Sequence, residues 1–369
     1  MSRAADVWAV QDSVIDWGLA ERVALRFSSK ASFTRACYLA GLSEEFDRCT
    51  SLAEDLVTQS TGLCSLSGDV RSCVLDRSEW IRRNLFSLCH FIEPLLADTG
   101  SLSAEKLSSL ELRVSAIELG AALGWMSTRV LGQYDFLVTE NDSLSEQDFI
   151  YYVGPNVVAL ERKYAFEPVD FRLWLAIHEV THRAQFTGVE WMRDHYLNLI
   201  RGLLVRFGTY SRGMTQIFQP VFSKYLYRLF RLNSPSSLED SSFSISAKEE
   251  NILDRVIGLM SLLEGHADVI MRKASKGMIQ GSERFSRVMR VRRQPNFGMD
   301  RILYRFFNLD LKIAQYAEGE NFVNAIEKIG GSELFQRVWE NSVNLPSVNE
   351  IRNPKEWVDR IMTTIPNDD

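Results

Sequence analysis

The sequence predicts a mainly α protein of α+β class, with a small sheet and an extensive helical layer. Three observations lead there. Apolar residues recur at helical spacing through FRLWLAIHEVTHRAQF (171–186) and again through LMSLLEGHADVIM (259–271). The first 135 residues read as a series of helices, with turn-prone breaks at Ser28-Ser29, Gly68-Asp69 and Asp98-Thr99-Gly100. The best strand candidate is FIYYVGPNVVAL (149–160), rich in aromatic and β-branched residues.

Taken in order, residues 1–135 form an N-terminal helical region packed on a core made by 136–369, the two joined as one intimate unit. Pro155 inside the strand candidate has no N–H to give a ladder, so that part is expected at an edge or a bulge. Asp170, after Pro168 and before the first apolar helical run, is the expected N-cap of that helix. Residues 189–231 continue helical and aromatic-rich, and NSPSSLEDSSFSIS (233–246) is expected as a surface loop before the second motif-bearing helix. Further on, Arg284, Arg287 and Arg290 share one helix stripe, with Arg292 and Arg293 beside them. A solvated face, a contact for an anionic substrate group and a nucleic-acid contact are the three readings of that stripe. No RNA- or DNA-binding motif accompanies it.

Composition bounds the function. The 369-residue chain is long enough for a large core, and its net charge of −6 gives no general attraction to nucleic acid or to an anionic membrane. The first thirty residues carry Asp6, Asp12, Asp16 and Glu21 and no apolar signal core. No apolar run approaches the ~20 residues of a spanning helix. Five widely spaced cysteines (Cys37, Cys49, Cys64, Cys73, Cys89) are odd in number, without CxxC, and read as reduced thiols. A cytoplasmic location without nucleic-acid or membrane partners is therefore expected. The adjacent Cys89-His90 pair has poor chelating geometry and reads as two helix residues.

The chemistry lies in HEVTH, residues 178–182. On a helix, i and i+4 sit one turn apart on one face, so His178 and His182 can offer two imidazoles to one ion. Glu179 is placed to hold a water at that ion and take its proton. A catalytic zinc site takes three protein ligands and keeps a fourth position for water, whereas a structural site closes with four. A metzincin extension would need Gly at 185 and His at 188; the chain has Gln185 and Gly188, which excludes it. Glu264 is the expected third ligand of a single Zn2+. Asp268, one turn further, can accept the free N–H of a ligating histidine. His266 is a rival ligand, or a residue behind the site or facing the substrate. It lies two positions from Glu264 and cannot share its face.

HExxH followed by ExxxD on a second helix resembles the glutamate-zincin class of metallopeptidases. The segments GWMSTRVLGQYDF (124–136), YYVGPNVVALER (151–162), FRLWLAIHEVTHRAQFTGVEWMRDH (171–195), LMSLLEGHADVIM (259–271), LDLKIAQYAEGENFV (309–323) and VWENSVNLP (338–346) narrow the resemblance. They resemble a zincin-like family found mainly in actinobacteria and related bacteria, labelled as hydrolases without an assigned substrate or as deazaflavin-coenzyme-biosynthesis-associated. The resemblance runs from about Asp16 to Trp357. It implies a mostly helical fold around a zincin core, with His178, His182 and Glu264 as metal ligands, Glu179 as catalytic base and Asp268 bonded to His178. It also implies that the 149–160 strand borders the cleft and pairs with extended peptide. Gly154-Pro155-Asn156 lacks the glutamate of the aminopeptidase GxMEN motif.

The expected function is zinc-dependent hydrolysis of a peptide or other amide, with Glu179 as general base. The alternative is a catalytically silent, metal-stabilised binding protein of the same fold. An oxyanion or substrate-binding donor is needed as well; His195, His266, Tyr151, Tyr152 and Tyr316 are candidates that the sequence does not rank. No GxGxxG or P-loop points to nucleotide handling.

Overall fold

The computed structural model describes residues 13, 15–28, 36–98, 109–135, 148–210, 247–293 and 309–363. The first third runs α1 (Trp17–Ser28), α2 (Ala36–Thr61), β1 (Arg71–Leu75), α3 (Arg77–Asp98), α4 (Ser109–Ser127) and β2 (Gly132–Tyr134). Then follow β3 (Phe149–Val153), α5 (Gly154–Tyr164), α6 (Pro168–Thr187) and α7 (Met192–Tyr210). The last part holds α8 (Ala247–Ser275), α9 (Ser282–Arg293), α10 (Leu309–Glu340), α11 (Val348–Arg352) and α12 (Pro354–Thr363). The molecule is mainly helical around one small sheet, as the sequence predicts. Helix ends at Ser28 and Asp98 fall at the expected breaks. The expected loop 233–246 lies outside the described residues. No helix among the described residues is long and apolar enough to cross a membrane.

The sheet corrects three expectations. Its order is β1-β3-β2, with β3 parallel to β1 and antiparallel to β2. The strand beginning at Phe149 is therefore central, and β1 and β2 are the edges of this sheet. The strand ends at Val153, and Gly154 begins a helix. Pro155 stands in the first turn of α5, where its missing N–H costs nothing and its fixed φ suits the helix. Finally, the first 135 residues are not helical throughout, since they supply β1 and β2. Alternation along β3 separates two cores. Ile150 and Tyr152 face a large core shared with α2, α6, α8 and α10. Tyr151 and Val153 face a second core built with α1, α3 and α4.

α6 is buried on nearly every side, and its charged residues are held by partners. Arg172 forms a two-pronged pair with Glu161 of α5, both bonds 2.8 Å, and also meets Glu45 of α2. Arg183, 1% exposed, donates to Glu54 of α2, to Asp148 and to the Gly68 carbonyl. These ties clamp the motif helix to three neighbouring segments. The expected cap is corrected: the helix starts at Pro168 with Glu167 in the N-cap position and no side-chain cap bond. Asp170 lies inside the first turn, and its carboxylate instead accepts the Gln280 N–H at 2.9 Å.

α6 and α8 run antiparallel. Gln185 meets Leu263 and His266, the two motif histidines face Glu264, and Asp170 reaches Gln280 past the end of α8. Glycines set the spacing on the far side of α8. A Cβ on Gly265 would lie 2.2 Å from the Gly319 carbonyl carbon, so α8 and α10 cross backbone to backbone. That crossing fixes α8 directly beside Glu264.

Candidate metal centre

His178 and His182 project from one face of α6 with their Nε2 atoms 3.2 Å apart. Glu264 faces them from α8, with Oε2 3.7 Å from His178 Nε2 and Oε1 3.9 Å from His182 Nε2. The three donor atoms lie within 4.8 Å of one another, and each residue is half-buried. Residues 178 and 264 are far apart in the chain; the antiparallel seam brings them together.

Glu179 lies beside this triad, 6% exposed. The backbone N–H of Tyr134 donates to it from β2. A Cβ on Gly132 would fall 2.5 Å from Glu179 Oε1, so the glycine opens the space the carboxylate occupies. Burial, and next the negative charge of Glu264, push the Glu179 pKa up to about 8, against the pull of that hydrogen bond. Asn156 holds the turn that leads into β2: its amide donates to the carbonyls of Ser127 and Val130 at 2.8 and 2.6 Å. Asn156 thus has a structural job here.

Behind His182 stands a relay that sequence reading missed. His182 Nδ1 contacts Gln185 Oε1 at 3.0 Å. The amide of Gln185 reaches the Leu263 carbonyl at 2.9 Å and His266 Nδ1 at 3.0 Å. With Gln185 Oε1 accepting, Nδ1 of His182 carries the proton and Nε2 is left with its lone pair toward Glu264. His266 is 2% exposed, stacked on Phe335 and edged by Trp339. Burial and the nearby Lys273 and His182 push its pKa down to about 3, so it is neutral. This places His266 behind Gln185, so of the readings the sequence left open it is the residue behind the site and neither a ligand nor a substrate contact. The only sequence sign of Gln185 was that it stands where a metzincin has glycine.

Asp268 is half-buried one turn past Glu264 and borders a recess with Trp174, one turn before His178. Two of the tyrosine candidates are corrected. Tyr152 is fully buried, stacked on Phe46 at 3.9 Å, its hydroxyl 2.9 Å from Thr50. Tyr151 points to the opposite face of the sheet and accepts from Arg83 at 3.1 Å. Neither hydroxyl is open to a substrate. The Tyr316 side chain lies outside the described residues. His195 is half-buried on α7 against Trp191, its pKa lowered by burial and by Arg255. Its neighbour Tyr196, which sequence reading passed over, senses Glu264: burial and that charge raise its hydroxyl to about 12. Tyr196 packs edge-on to Phe186 at 5.5 Å.

A family model described as zincin-like metallopeptidase matches residues 15–358. The chain belongs to this zincin-like metallopeptidase family. A solved structure from Chloroflexus aurantiacus, described as a "putative hydrolase with a novel fold", is 28% identical and aligns with a TM-score of 0.69, over 94% of this chain and 98% of that one. No match is found among curated proteins. Family and neighbour together support a metallohydrolase. The actinobacterial and deazaflavin associations expected from the sequence find no counterpart in these comparisons.

The family implies a metal, and the residues fit one. Two donors bound tetrahedrally at about 2.0–2.1 Å sit roughly 3.3–3.4 Å apart, close to the separation of the two imidazole nitrogens. Glu264 needs to close by only a few tenths of an ångström. The repulsion between Glu179 and Glu264 is itself a reason for a cation there.

Proposed function

We propose that this protein is a zinc-dependent hydrolase of peptidase type, with one ion held by His178, His182 and Glu264. The observation that supports it best is Glu179. Holding the ion needs only the three ligands and has no use for a second acidic group buried beside them and bonded to a strand. Zinc at such a site supplies Lewis acidity, polarising a carbonyl and making water acidic near neutral pH.

The remaining steps belong to the chain. Glu179 accepts a proton from the attacking water and delivers it to the departing amine. The Tyr134 N–H keeps one carboxylate oxygen fixed, and Gly132 lets the group stand close to the strand. Gln185 holds the His182 ring in the tautomer that leaves Nε2 free for the ion. β2, the sheet edge beside Glu179, is where an extended peptide would add as a further strand. His195 and Tyr196, on α7, are the donors available to a developing oxyanion.

Zinc-loaded protein should cleave members of an unbiased peptide library, and a chelator should stop it. No cleavage across the library by protein with a full complement of zinc would refute the peptidase assignment.

A further inference from the structure

Away from the metal centre, a cavity of about 400 Å³ lies between the C-terminal end of α8 and α9. Arg272, Arg287 and Arg290 line it together with Ser282, Ser286 and Glu283. Arg272 is eight residues past Glu264 on α8, about 12 Å along the helix axis. The cavity thus lies along α8 from the metal ligands and adjoins the recess that Asp268 and Trp174 border, sharing Arg272, Ser286 and Arg290 with it.

Its charge is lopsided. Three guanidinium groups face one carboxylate in the wall. Arg272 is paired with Glu320 at 2.7 Å. Among the described residues, Arg287 and Arg290 meet no carboxylate within ion-pair distance. Glu283 stands four residues before Arg287, the spacing of an ordinary helical ion pair, yet the two do not close. Two exposed arginines therefore stand at a concave, hydroxyl-bearing wall with no ion-pair partner among the described residues. Ser282 opens α9, so the positive end of that helix dipole forms part of the same wall.

We propose that this cavity binds a phosphate-type oxyanion carried by a small molecule. Guanidinium forks match phosphate oxygens two at a time, and serine hydroxyls add neutral donors. The volume lies in the range of small-ligand pockets and exceeds one phosphate, leaving room for a second phosphate or an organic group. This assignment does not depend on the hydrolase reading.

The test is pyrophosphate and inorganic phosphate titrated calorimetrically into the full-length chain stripped of metal, so that the metal centre offers no competing site. Saturable binding is expected, at least tenfold weaker in Arg287→Gln/Arg290→Gln. Matched melting temperatures would establish that this double variant, altered at exposed positions of α9, stays folded. A control removing two charges elsewhere, Lys328→Gln/Lys355→Gln, should bind as the unaltered protein does. Absence of saturable binding would overturn the proposal, as would equal weakening in the lysine control or undiminished binding in the arginine variant.

Discussion

His178 and His182 are half-buried imidazoles whose usefulness to an ion depends on which nitrogen carries the proton. Gln185 decides this for His182. The change Gln185→Leu keeps volume and removes the acceptor, so zinc affinity, measured by chelator competition, should fall about 10–100-fold. An unchanged affinity would show the relay to be idle. His178→Ala removes a ligand outright, and elemental analysis should show its zinc content collapse. The two histidines and Glu179 were legible in the sequence, because helical spacing places them on one helix, and Glu264 was expected from the ExxxD pattern of a second helix. Gln185 was not, since its role depends on His266, 81 residues away, and on a seam between two helices. Tyr151 and Tyr152 failed as donors for a related reason: the aromatic content that marks a strand also marks a core, and both faces of β3 are covered.

Among the elements, β2 is the least conspicuous, yet Gly132 and Tyr134 on it both touch Glu179. Three residues carry no readable period, so the sequence pointed to the strong strand at 149 and missed the short edge that pairs with it. Gly132→Ala should test the contact directly. Its Cβ would meet the Glu179 carboxylate at 2.5 Å, so turnover should drop while zinc content and melting temperature stay near their original values. Gly265→Ala should behave in the opposite way. Its Cβ would meet backbone of α10, which cannot give as a side-chain tip can, and overpacking of this kind costs typically 1–3 kcal/mol. Denaturant unfolding should show that loss. A variant as stable as the parent would mean that α8 and α10 can part without penalty.

For the whole molecule, stability and function pull on the same buried charges. Arg183 ties α6 to α2, to the Gly68 loop and to the start of β3. Removing it strands Asp148 and Glu54, and Arg183→Ala should cost about 3–5 kcal/mol in equilibrium unfolding. Glu118, 4% exposed on α4 with one oxygen lacking a hydrogen-bond partner, is a different case. Burial raises its pKa from 4.5 to about 8. Between those values the unfolded chain has lost the proton that the folded chain keeps, so stability falls as pH rises through that window and levels off above it. Glu118→Gln should remove the Glu118 part of this slope, leaving that of Glu179, and stabilise the protein above pH 8 by about 1–3 kcal/mol. The central claim, that the metal centre is an active hydrolase, rests on Glu179 acting as a base. Its most direct test compares peptide-library digestion by zinc-loaded protein and its Glu179→Gln variant, with zinc content measured in both. Cleavage by the first is expected, and at least a ~10²–10⁴-fold loss in the second, with zinc and fold retained. Equal cleavage by both, or none by either, would contradict the central claim.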